Sequence, residues 1–164
     1  MKKWILLILI CGATCATAIE ITRTSAHTAL LQAAAPATTI RYPDADMVLV
    51  EDLTLSKYAP DGSDRYTSEV AFKILTEKGR QEQSTVSTGY DAAYGTQQFD
   101  NAEIIKPDGR ILSIDLKTQS RETINSGQMN ANIYDPNHKS VILSIPNLEI
   151  GDILHYTISG EHTK

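Results

Sequence analysis

The chain has 164 residues, with 15 Lys and Arg against 20 Asp and Glu, a formal charge of −5. An acidic balance of this kind repels nucleic acid and anionic lipid, so neither is an expected partner. Its two cysteines, Cys11 and Cys15, both lie in the first fifteen residues, which leaves the remainder without thiol catalysis, cysteine-ligated metal or disulfides.

The N-terminus has the three parts of a secretory signal. Lys2 and Lys3 supply the basic start, Trp4 to Ile10 are apolar, and Ala16-Thr17-Ala18 offers small residues for cleavage after Ala18. The apolar run is too short for a bilayer span, which takes about 20 residues. Neither cysteine has the small residues and leucine that precede a lipid-modified cysteine, so lipoprotein anchoring ranks second. The expectation is an exported protein, periplasmic or extracellular, with no membrane span after cleavage. Without Lys2 and Lys3 the chain keeps 13 basic and 20 acidic residues, enough length for one domain with a modest core of Ile, Leu, Val and Tyr.

Residues 19–40 are a leader rich in Ala and Thr, read either as a short helix from Thr28 to Ala35, capped by Thr28, or as a disordered stalk. Order is expected to begin near Tyr42-Pro43. Met47 to Tyr58 alternates apolar and polar residues as a strand. Pro60-Asp61-Gly62 then turns the chain: proline pre-sets φ, aspartate bonds back to the backbone and glycine accepts positive φ. Arg65 to Thr76 is the clearest strand, with Tyr66, Val70, Phe72 and Ile74 on one face and Arg65, Thr67, Glu69 and Lys73 on the other. Glu77-Lys78-Gly79 reads as a turn and Gln83 to Tyr90 as a more polar strand.

After a loop at Asp91 to Gly95, Gln97 to Ile105 and Arg110 to Leu116 flank a second such turn, Pro107-Asp108-Gly109. Lys117 to Lys139 reads as a long polar loop. Ser140 to Ile145 and Ile153 to Ile158 are the last strands. Short strands punctuated by Gly and Pro turns, with no long helical period, indicate an all-β protein, an antiparallel β-sandwich built from hairpins.

Four segments carry a resemblance: Tyr42-Pro43-Asp44-Ala45-Asp46-Met47-Val48-Leu49, Phe72-Lys73-Ile74-Leu75-Thr76-Glu77-Lys78-Gly79-Arg80, Lys106-Pro107-Asp108-Gly109-Arg110, and Pro146-Asn147-Leu148-Glu149-Ile150-Gly151-Asp152-Ile153-Leu154-His155-Tyr156. In this order they resemble DUF3857, the N-terminal β domain of exported bacterial transglutaminase-like proteins. The resemblance implies a DUF3857-like domain over residues 41–164. It also implies that the closing strands and the papain-like catalytic domain of such proteins are missing here, leaving a C-terminally incomplete fragment with an unpaired sheet edge. The function it implies is a non-catalytic accessory module whose partner is a transglutaminase-like domain. The alternative is a free-standing envelope domain that binds glycan or peptide.

No cofactor and no metal are expected. His27, His138, His155 and His162 are dispersed, with no i, i+4 pair, and His155 reads as a satisfied sheet residue. There is no Gly-x-Ser-x-Gly elbow for a nucleophilic serine. Asp61-Gly62-Ser63-Asp64 lacks the alternating ligands of a calcium loop, and Asp44 and Asp46 read as solvated charges. The candidate ligand surface is Tyr90 and Tyr94 with Asn130, Asn132 and Tyr134, aromatic faces beside amides; the bland reading is that Tyr90 closes into the core and the amides are solvated.

Overall fold

The computed structural model describes residues 26–125 and 135–163. A helix, α1 (residues 26–34), precedes the strands β1 (Met47–Tyr58), β2 (Asp64–Ile74), β3 (Thr85–Asp91), β4 (Gly95–Ile105), β5 (Ile111–Ser113), β6 (Ser120–Ile124), β7 (His138–Ser144) and β8 (Ile153–His162). Two short helices, α2 (Glu77–Glu82) and α3 (Leu116–Gln119), interrupt the series. The strands form two antiparallel sheets, one ordered β1-β2-β8-β4-β5 and the other β3-β7-β6. This is a β-sandwich without barrel closure.

The alternation along each strand sorts its side chains between two environments. Val70, Phe72 and Ile74 of β2, Leu154, Tyr156 and Ile158 of β8, and Phe99, Ala102 and Ile104 of β4 pack with Val86, Val141 and Leu143 of the smaller sheet. Phe99 meets Tyr156 edge-to-face at 5.9 Å, the geometry that ring quadrupoles favour. The opposite face of the larger sheet is covered in part. Ala71, Ile105 and Ile153 there pack against Leu30 and Ala34 of α1.

Of the two readings of the leader, the helix describes residues 26–34, and it starts ahead of Thr28. His27, Leu30 and Ala34 are buried and Leu31 half-buried, the i, i+3, i+4, i+7 stripe of a helix lying on a surface. Packed structure therefore begins ahead of Tyr42. Two local readings are also revised. Glu77-Lys78-Gly79 is the first turn of α2, whose N-cap Thr76 accepts a hydrogen bond from the Gly79 amide. The polar stretch from Lys117 contains most of α3, capped by Asp115, and the strand β6, whose polar residues suit an edge strand on the smaller sheet.

The last strand read from the sequence is longer than its apolar run and runs through the middle of its sheet. β8 pairs with β2 from Lys73↔Ile153 to Asp64↔His162 and with β4 from Ile105↔Ile153 to Gly95↔His162. The edges of this sheet are β1 and β5. β1 exposes Leu49, Leu53, Leu55 and Tyr58.

Candidate functional site

On the α1-covered face, two charged side chains stand inside apolar strands. Glu103 follows Ala102 and precedes Ile104 and Ile105, and His155 lies between Leu154 and Tyr156. The register puts them directly opposite each other on β4 and β8, so their side chains leave the sheet on the same face. His155 Nδ1 donates to Glu103 Oε1 at 2.8 Å, and His155 Nε2 donates to Glu69 Oε1 at 2.8 Å. From above, α1 lowers His27, whose Nε2 donates to the same Glu103 oxygen at 2.6 Å. His27, Glu103 and His155 are 7%, 2% and 6% exposed.

A buried charge persists only with partners that replace its hydration. Burial works to raise the Glu103 carboxyl, but hydrogen bonds from His155 and His27 outweigh it and hold the group at about 2. Burial works to lower the His155 imidazole, and the carboxylates of Glu103 and Glu69 reverse that and raise it. With both ring nitrogens given to carboxylates, His155 has none left to activate a hydroxyl. Two of the four dispersed histidines thus converge on one carboxylate. Dispersion along the chain concealed this, because the contacts span 76 and 52 residues. The available signal was a charge within an apolar run on each of two strands, which marks a strand buried on both faces.

A second buried charge lies where two turns meet. Gly109 closes the β4–β5 hairpin at a φ of 85°, a region that L side chains rarely adopt, and its amide donates to the Lys106 carbonyl at 2.9 Å. Lys106 Nζ donates to Asp152 Oδ2 at 2.9 Å and Glu149 Oε2 at 2.7 Å. The second oxygen contact of Asp152 is with the Glu149 amide, at 2.8 Å to the same Oδ2. Burial would lower Lys106, but Glu149 and Asp152 raise it. A matching joint lies at the entry. Asp46 accepts from Thr76 Oγ1 and Lys78 Nζ, each at 2.6 Å, and is held below its ordinary range by them. The four segments that carry the resemblance therefore meet in pairs, as structural joints.

The tyrosine surface is placed in part. The Tyr90 hydroxyl donates to Glu122, which also accepts from Lys139, and the ring packs against the core. Burial and that carboxylate push the Tyr90 phenol up to about 12. Tyr94 is 60% exposed, on a turn where its amide donates to the Asp91 carbonyl. Asn130, Asn132 and Tyr134 lie outside the described residues. Asp61 accepts from the Ser63 amide and hydroxyl, an Asx turn. Beyond Glu69, the α1-covered face opens into a polar concavity of about 300 Å³ lined by Arg65, Thr67, Gln98, Ser159 and Glu161, among others. Among the described residues no helix is long and apolar enough to cross a membrane.

Comparison with known proteins agrees with the fold. A solved structure from Parabacteroides distasonis, described as a "putative protease", superposes with a TM-score of 0.64 at 16% identity, over 72% of this chain and 23% of that one. The chain therefore spans about a quarter of that protein's length, and the likeness is one of fold. No curated protein matches. The family model described as "Domain of Unknown Function with solved-structure structure" matches residues 60–164. Three of the four resembling segments lie inside that range; Tyr42 to Leu49 precedes it. With most of its length matched, the chain belongs to the DUF3857 family.

Proposed function

We propose that this chain is an exported, non-catalytic interaction module, accessory to a transglutaminase-like domain. One observation carries the reading. The reactive side chains that the fold gathers (His155, Glu103, Lys106 and Asp152) are consumed by internal joints, while the edge strand β1 offers Leu49, Leu53 and Leu55 to solvent. An edge strand with exposed leucines is a surface suited to a protein partner. The test is titration of the purified chain with a transglutaminase-like domain encoded in the same genome. The expected result is a one-to-one complex weakened at least tenfold by Leu53→Asp with Leu55→Asp. A chain that hydrolyses peptides unaided, or that forms no complex, overturns the proposal.

A second reading, a glycan- or peptide-binding envelope domain, is favoured by the exposed ring of Tyr94. It requires retention on peptidoglycan or on a glycan panel that is lost in Tyr94→Ala.

A further inference from the structure

Three elements far apart in sequence bring one donor atom each to a common point: α1 supplies His27 Nε2, β8 supplies His155 Nδ1, and β4 supplies Glu103 Oε1. One ligand atom from each of the three residues lies within 4.8 Å of the other two, and all three residues are buried. A buried carboxylate that merely needs donors has lone pairs on both of its oxygens. Here both rings aim at Oε1. Both imidazoles now give an N–H to that one oxygen; an ion that displaces the two ring protons would find two nitrogen lone pairs and a carboxylate facing one small buried region.

We propose that His27, His155 and Glu103 form a binding site for a divalent transition-metal ion of the zinc class, and that the ion fastens α1 to the sheet. Two imidazoles and a carboxylate are the donor set that borderline ions take, in preference to calcium or magnesium. Three protein donors leave one position for water on a tetrahedral ion. Donors on such an ion, with bonds of about 2.1 Å, stand about 3.4 Å apart. The contacts at 2.6 and 2.8 Å then need to open by roughly 0.6 to 0.8 Å, a shift that side-chain torsions supply. The outer shell is in place as well. Glu69 holds His155 Nε2 at 2.8 Å, the second-nitrogen carboxylate contact that orients metal-binding histidines.

The ion would act on the fold rather than on a substrate. Each ligand comes from a different element, so binding joins α1 to β4 and β8 at once, and its free energy adds to folding. A second group, Asp91, Asp135 and His138, also gathers donors within 4.8 Å, but it includes an exposed histidine and serves as the control.

The experiment loads the purified, metal-stripped full chain with Zn2+, and separately with Co2+, and measures stoichiometry, affinity, melting temperature and the visible cobalt bands. The expected result is one ion per chain, a higher melting temperature, and cobalt bands of tetrahedral intensity. His27→Gln should weaken binding by at least about a hundredfold, and Glu69→Gln by about 10- to 100-fold, while His138→Ala leaves it unchanged. If His155→Gln fails to fold, His27→Gln decides, because it alters only the α1 side of the site. Absence of stoichiometric uptake, uptake unchanged in His27→Gln, or uptake that disappears with His138→Ala overturns the proposal.

Discussion

Lys106 and Asp152, 46 residues apart, meet at 2.9 Å with side chains only 9% and 1% exposed. This pair locks the β4–β5 hairpin to the turn that launches β8. Removing one partner of a buried pair leaves the other charged without compensation, which costs about 3–5 kcal/mol. Lys106→Ala should therefore lower the unfolding free energy by about 3 kcal/mol in urea titration. A loss below about 1 kcal/mol would show that solvent already shares the pair. Lys106→Arg is expected to rescue only part of the loss, because a planar fork does not fit a site shaped for a point charge.

Gly79→Ala tests the other joint. A Cβ at Gly79 would stand 2.1 Å from the Asp46 carbonyl oxygen, a backbone atom that cannot move aside without shifting β1. Overpacking of this kind typically costs about 1–3 kcal/mol. The variant should melt several degrees lower with an unchanged far-ultraviolet spectrum, and a neutral result would mean that the entry segment yields freely.

Acid should weaken the same joint in a set direction. The Asp46 carboxyl is held below its ordinary value of 3.8 by hydrogen bonds from Lys78 and Thr76. A carboxyl depressed on folding contributes stability that is complete above its unfolded value and lost as pH falls through its folded one. The contribution of Asp46 is thus present at neutral pH and disappears below about pH 4. Stability measured from pH 6 to 2 should fall less steeply in Asp46→Asn than in the parent chain, and parallel curves would refute the assignment.

The two tyrosines should separate in function. Tyr90→Phe removes a hydrogen bond to a charged acceptor that keeps Lys139 as partner, and a cost of about 1 kcal/mol is expected with no change in binding to any envelope ligand. Tyr94→Ala alters an exposed ring and should leave the unfolding free energy within about 0.5 kcal/mol of the parent. Retention of a glycan lost in Tyr90→Phe but kept in Tyr94→Ala would reverse these roles.

Export is tested by the N-terminus itself. Expressed in a secreting host, the protein should begin at Ile19 by mass spectrometry, and a product that keeps Met1 to Ala18 would remove the exported reading.

Local signals carried most of the strands. Alternation specified β1, β2 and β4 to within a few residues, and the proline–aspartate–glycine turns specified the hairpins, because both depend on neighbours along the chain. β6 escaped because Ser120, Arg121, Glu122 and Thr123 carry no apolar alternation. That strand is held by its backbone pairing with β7, from Ser120↔Leu143 to Ile124↔Lys139. The His27–Glu103–His155 cluster escaped for another reason. Register and helix docking create it, and neither is written in any single window of sequence. Glu103 and His155 did carry a trace of it, as charges in runs that an open sheet face does not require to be apolar.

The place of β8 between β2 and β4 has a consequence for how the molecule comes into being. The β1–β2 and β4–β5 hairpins close locally and early, on the microsecond scale of such events. The strand between them, β8, is synthesised after the other described strands. Until residues 153–162 arrive, the two hairpins of the larger sheet have no shared neighbour, the pairs from Asp64↔His162 to Ile105↔Ile153 do not exist, and the ledge on which α1 rests is absent. Long-range pairing of this kind makes folding slow relative to local closure. A growing chain therefore stays open until β8 emerges, and then closes around it.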